Sequence, residues 1–66
     1  MKITVNGVNV ELPEGATLQD ALNTRSIPAQ GIATAVNDHV IPAAQRADKS
    51  LAEGDKVVII KAFYGG

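Results

Sequence analysis

The sequence contains no cysteine, so no disulfide can staple the fold, and this chain supplies neither a Cys-based zinc site nor a thiol nucleophile. It has no excess of positive charge either. Six Lys and Arg stand against 7 Asp and Glu, a net charge of -1, which excludes the basic footprint that neutralises nucleic-acid phosphates. No run approaches the roughly 18 to 20 apolar residues that span a bilayer. The start, Met1-Lys2-Ile3-Thr4-Val5, turns polar too soon for a signal peptide. These absences lead to the expectation of a cytoplasmic protein with neither a nucleic-acid nor a membrane partner.

At 66 residues the chain is expected to form a single domain, 1–66. A domain of that size hides only about 60% of the surface its unfolded form exposes. A core so thin leaves little room for an enclosed active site with layers of packing behind it. The expectation is a binding or carrier protein, not an enzyme.

Lys2-Ile3-Thr4-Val5 alternates polar and apolar, Asn6-Gly7 intervenes, and Val8-Asn9-Val10-Glu11-Leu12 alternates again. Asn-Gly accepts the positive φ angles of a two-residue hairpin turn, so Ile3, Val5, Val8, Val10 and Leu12 are expected to share one buried face. Pro13-Glu14-Gly15 breaks the strand, and Thr17 with Asp20 three positions later offers a capping-box-like helix start. Leu18, Ala21 and Leu22 then form a short apolar stripe that needs a sheet to cover it, and Pro28 and Gly31 are expected to end the helical region. Ile32 to Val36 reads as a strand, Asn37-Asp38 as a turn, and His39-Val40-Ile41 as a short strand stopped by Pro42. Ala43 to Ala47 suggests a helical turn, and Glu53-Gly54-Asp55 a tight turn feeding the last strand. Val57-Val58-Ile59-Ile60 does not alternate, which predicts a central strand covered on both faces. If it lies parallel to the first strand, the intervening elements form the crossover. That is an α+β, β-grasp (ubiquitin-like) fold: a mixed sheet of four to five strands packed on one helix.

Few residues offer chemistry outside the tail. His39 stands alone near a turn, where a solvated side chain is a simpler reading than a metal ligand or general base. Asp48, Glu53 and Asp55 read as turn-forming and solvating carboxylates, with no His or Cys beside them to suggest a metal site. Glycines 7, 15 and 54 lack the strand-to-helix spacing of a phosphate loop.

The chain ends Lys61-Ala62-Phe63-Tyr64-Gly65-Gly66. Two terminal glycines arise by chance in roughly one chain in two hundred. Without β-carbons, such an end can thread a narrow channel and approach a nucleotide phosphate. Ordering those residues in a partner costs roughly 1 to 2 kcal/mol each, so Phe63 and Tyr64 are the expected anchors of a flexible tail, 62–66. On the last strand, either Val58 and Ile60 or Val57 and Ile59 face away from the helix. An apolar patch there, assigned to Val58 and Ile60, is expected to dock a partner.

The sequence resembles the thiamine-biosynthesis sulfur carriers (ThiS) over essentially its whole length. The likeness rests on Met1-Lys2-Ile3 with Asn6-Gly7, Gly15-Ala16-Thr17-Leu18, Ala35-Val36-Asn37 running to Val40-Ile41-Pro42, Leu51-Ala52-Glu53-Gly54-Asp55-Lys56-Val57 and the closing Gly65-Gly66. Two features depart from the family pattern. Members often carry a large aromatic residue in the segment where this chain has Ala43-Ala44-Gln45-Arg46-Ala47-Asp48, and they usually place small or aliphatic residues where it has Phe63-Tyr64.

The resemblance implies that the Gly66 carboxylate, presented by Gly65, is adenylated by a ubiquitin-activating-like adenylyltransferase and receives sulfur from a persulfide donor. The resulting thiocarboxylate would serve thiazole synthase. ATP and Mg²⁺ belong to the activating enzyme, and the carrier itself is expected to bind no cofactor and no metal. The small subunit of molybdopterin synthase, usually somewhat longer, is the nearest alternative, and the compactness of this chain and its Asn37-to-Pro42 segment favour the thiamine branch. Other carriers of the same fold, for tRNA thiolation or cysteine synthesis, stand further off. A β-grasp interaction module with incidental glycines is the alternative of another class.

Overall fold

Two asparagine-led turns set the frame of the sheet. In the computed structural model, which describes residues 1–61, strands Lys2–Val5 (β1) and Val8–Glu11 (β2) join through Asn6 and Gly7, with φ of 50° and 81°. Strands Ile32–Val36 (β3) and His39–Ile41 (β4) join through Asn37 and Asp38, with φ of 50° and 70°. Positive φ at both central residues defines the type I′ turn, whose twist matches that of paired strands. Asn and Asp tolerate this region better than other residues with a β-carbon.

The final strand, Lys56–Lys61 (β5), lies between the two hairpins, giving the order β2-β1-β5-β3-β4. It runs parallel to β1, with Val5 beside Val57, and antiparallel to β3, with Val36 beside Val57. The parallel pair requires a crossover, and the helix Leu18–Thr24 (α1) lies within it. This mixed sheet with one helix is the β-grasp arrangement expected from the pattern.

Every first-turn amide of α1 has an acceptor, as a helix start demands. Leu18 N donates to Lys49 O, Gln19 N to Arg46 O, Asp20 N to the Thr17 hydroxyl and Ala21 N to Thr17 O. Thr17 N donates in turn to the Asp20 carboxylate at 2.9 Å, completing the capping box. The segment after β4, including a 3₁₀ turn at Ala43–Gln45, thus closes over the helix start. The helix stops earlier than Pro28: Arg25 is its C-cap, and Ser26 adopts a φ of 55°, which helical backbone cannot continue.

Leu18 and Ala21 of the helix stripe share one core with Ile3, Val5, Val10, Leu12, Val36, Leu51 and Val57, and Leu22 of the same stripe is fully buried. Val8 does not join them. It shares their side of the sheet but sits on the edge strand β2 beside the hairpin turn, 45% exposed, while its partner Val5 on the inner strand is buried. The expectation that β5 is covered on both faces also fails. The strand is central, yet only its helix-facing side is packed: Val57 is fully buried, Val58 and Ile59 are half-buried, and Ile60 is 62% exposed. Among the described residues nothing covers the opposite face, so the unbroken apolar run reflects a need other than a two-sided core.

Candidate functional site

The chemistry suggested by the sequence lies just past β5, so the end of that strand is where the fold can act on it. Asn37 N donates to Lys56 O at 2.8 Å. Alternation along an antiparallel ladder then directs the backbone groups of Val57, Ile59 and Lys61 away from β3, toward the β1 side. Val57 O accepts from Asn6 N at 2.9 Å. At that point β1 turns away through Gly7, and no β1 backbone remains beside Ile59.

The Asn6 side chain takes its place. Its Oδ1 accepts from Ile59 N at 2.7 Å, and its Nδ2 donates to Ile59 O at 3.2 Å. One carboxamide thereby satisfies both backbone groups of Ile59, which a longer β1 would reach with two successive peptide groups. At the other end of β5, Asn37 Oδ1 accepts from Lys56 N at 3.0 Å, and its Nδ2 donates to the Asp55 carboxylate at 2.9 Å. Each hairpin turn thus sends an amide to one end of the central strand.

The β3 side of the same end is held by a buried cation. Arg46 is 4% exposed, and its Nη2 donates to Ile32 O at 2.9 Å while Nη1 donates to Ala29 O at 2.7 Å. Ile32 pairs with Lys61, so the arginine fixes the strand against which β5 ends. The sequence reading missed Arg46. It stands within the segment that departs from the family's aromatic pattern, and a lone arginine in a polar stretch gives no sign of burial.

The parity left open by the sequence is resolved. Val57 and Ile59 pack toward the helix side, while Val58 and Ile60 face the uncovered side. Val58 pairs with Ala35, which pairs in turn with Val40, and Ile60 pairs with Ala33. Val40 is 77% exposed. These five residues form one apolar patch across β4, β3 and β5, leading to the strand end.

Phe63 and Tyr64, the anchors expected from the sequence, and Gly65 and Gly66, the expected working residues, lie outside the described residues, as does the rest of the tail 62–66. His39 is exposed at the start of β4. Asp55 and Glu53 serve the loop before β5: Asp55 accepts from Ala52 N, and Glu53 accepts from Lys2 N. Among the described residues no three His, Asp or Glu side chains converge as a metal site. No helix of the described residues is long and apolar enough to cross a membrane.

The ThiS family model matches residues 3–66 of the chain. In fold, the chain is similar to the crystal structure of the thiamine biosynthesis protein (ThiS) from Geobacter metallireducens, with a TM-score of 0.82 and 23% identity over 100% of this chain and 99% of that one. The solution structure of a thiamine biosynthesis protein from the same organism gives 0.76 at 23% identity, covering 100% and 88%. SAMP1 from Haloferax volcanii gives 0.63 at 17% identity, covering 98% and 97%. No curated protein matches the sequence.

Proposed function

Because the chain belongs to the ThiS family of small ubiquitin-like sulfur carriers, we propose that it supplies sulfur for the thiazole of thiamine as a thiocarboxylate on Gly66. The observation that carries this reading is the family match extending through residue 66, so that it includes Gly65-Gly66, which begin four positions after the last residue of a strand paired on both sides.

A carboxylate is a poor electrophile. An activating enzyme with ATP and Mg²⁺ converts it to an acyl adenylate and releases pyrophosphate. The terminal sulfur of a donor's persulfide then attacks the carbonyl carbon and AMP leaves. A thiol cleaves the sulfur–sulfur bond of the acyl persulfide, leaving a thiocarboxylate that is ionised at neutral pH and nucleophilic as thiolates are. Thiazole synthase takes the sulfur and returns the carboxylate.

The carrier's own contribution is presentation. The apolar patch of Val40, Ala35, Val58, Ala33 and Ile60 docks the activating enzyme, and Phe63 and Tyr64 offset the entropy lost when the glycines are ordered in its channel. Deleting Gly66 should abolish thiazole production in cells that depend on this chain. Retained production contradicts the reading, and co-purification with a molybdopterin synthase large subunit in place of thiazole synthase assigns the carrier to the other branch.

A further inference from the structure

We infer that Asn6 is a positioning residue for the sulfur-carrying end: its carboxamide fixes the point at which β5 ceases to be held on the β1 side, steadies the strand end that β3 alone would otherwise hold, and thereby limits the chain that a partner must order. The inference rests on the sulfur-carrier reading and adds to it a residue remote in sequence from the tail.

The geometry supports a task beyond turn formation. A type I′ turn requires positive φ at its first central position, which glycine satisfies as well as asparagine. Nothing in the turn requires the side chain. Yet that side chain reaches across 53 residues of sequence to satisfy both backbone groups of one residue, Ile59. The β1 backbone itself meets β5 only as far as Val57 O. Without the Asn6 side chain, β5 beyond Val57 keeps only its β3 partner, and Ile59 N–H and C=O lose theirs.

Seven residues follow Ile59, ending at Gly66, an extended reach of at most about 25 Å. Releasing the clamp moves the last point held on the β1 side back to Val57, nine positions before Gly66, and leaves residues 58–61 held by β3 alone; wherever that single ladder frays, more chain must be ordered at each encounter. The cost falls on productive association. The chemistry at the carboxylate, once the tail is seated, is unchanged.

Asn37 provides a matched control, because its amide holds the start of the same strand, at Lys56, away from the tail. It also occupies a first turn position at φ 50°. Asn6→Gly and Asn37→Gly therefore each remove two side-chain hydrogen bonds that tie a hairpin turn to β5 or to the residue before it, from turns that glycine tolerates. A purely structural role predicts that both act alike, through stability.

The test is carrier-dependent ATP–pyrophosphate exchange by the activating enzyme, with each full chain checked for folding by circular dichroism and for Ile59 amide protection by hydrogen exchange. Asn6→Gly is expected to lose Ile59 protection and to raise KM for the carrier about tenfold with kcat unchanged, the factor expected when about one more residue must be ordered on binding. Asn37→Gly is expected to leave KM within about twofold. Asn6→Asp, which keeps an acceptor for Ile59 N–H and loses the donor to Ile59 O, is expected to lie between Asn6→Gly and the wild type. An unchanged KM in Asn6→Gly, or an equal rise in Asn37→Gly, overturns the inference. Failure of the wild-type chain to support exchange overturns the carrier reading itself, a distinct result.

Discussion

Arg46 and Thr34 are joined inside the protein: the guanidinium Nε donates to the Thr34 hydroxyl at 3.2 Å, and that hydroxyl donates onward to Ile41 O at 2.9 Å. The two residues link the loop before β3, both strands of the second hairpin and the segment that closes the helix start. A buried cation so held is bonded to neutral oxygens, which satisfy it through geometry and supply no opposite charge.

Arg46→Ala removes those donors together with the packing of a long side chain. Urea unfolding should show a loss of about 2–4 kcal/mol. Arg46→Met keeps much of the volume and also removes the burden of a buried charge, so its loss should be smaller, about 1–2 kcal/mol. An alanine variant within about 0.5 kcal/mol of the wild type contradicts the role assigned to this network.

The capping box at Thr17 and Asp20 supports a helix of only 7 residues. So short a helix depends on its first turn. Thr17→Ala should lower stability by about 1 kcal/mol with the urea m-value unchanged, whereas Thr17→Ser should recover most of it. Equal losses in the two variants would argue against the side-chain hydrogen bond as the cause.

Neighbouring positions on β5 should respond oppositely to charge. Ile60→Asp places a carboxylate on the uncovered face, so circular dichroism should report a folded protein while affinity for the activating enzyme falls at least about tenfold. Val57→Asp buries an unpaired carboxylate at a site with no exposure and should unfold the domain. Unaltered binding by the folded Ile60 variant contradicts the proposed docking face.

The lack of cysteine suggests a further test. A thiol near the tail can attack the acyl adenylate and divert it to a thioester, so Lys61→Cys should lower the yield of thiocarboxylate measured by mass spectrometry. An undiminished yield removes any chemical meaning from the absence.

Much of this architecture was legible because it rests on local rules. Asn6-Gly7 and Asn37-Asp38 declared their turns through φ preference, Thr17 and Asp20 declared the helix start, and the strand pattern gave the β-grasp order. What escaped was set by tertiary context. Val8 alternates correctly but stands on the edge strand, where it stays exposed while its partner Val5 is buried. The apolar run of β5 predicted two buried faces, while the fold supplies a helix for one, leaving Ile60 on the other. Arg46 and the Asn6 amide act on residues brought near only by the crossover, and no local periodicity reports such partners. Gly65 and Gly66 are proposed as the working residues from composition and from resemblance to the family alone, since they lie outside the described residues.

Sulfur loading can be read from the intact mass of the full chain after incubation with ATP, the activating enzyme and a persulfide source. Exchange of one oxygen for one sulfur is expected, located at Gly66 by fragmentation and absent from a chain lacking that residue. An unchanged mass in an active system, or sulfur found elsewhere in the chain, would contradict the carrier reading.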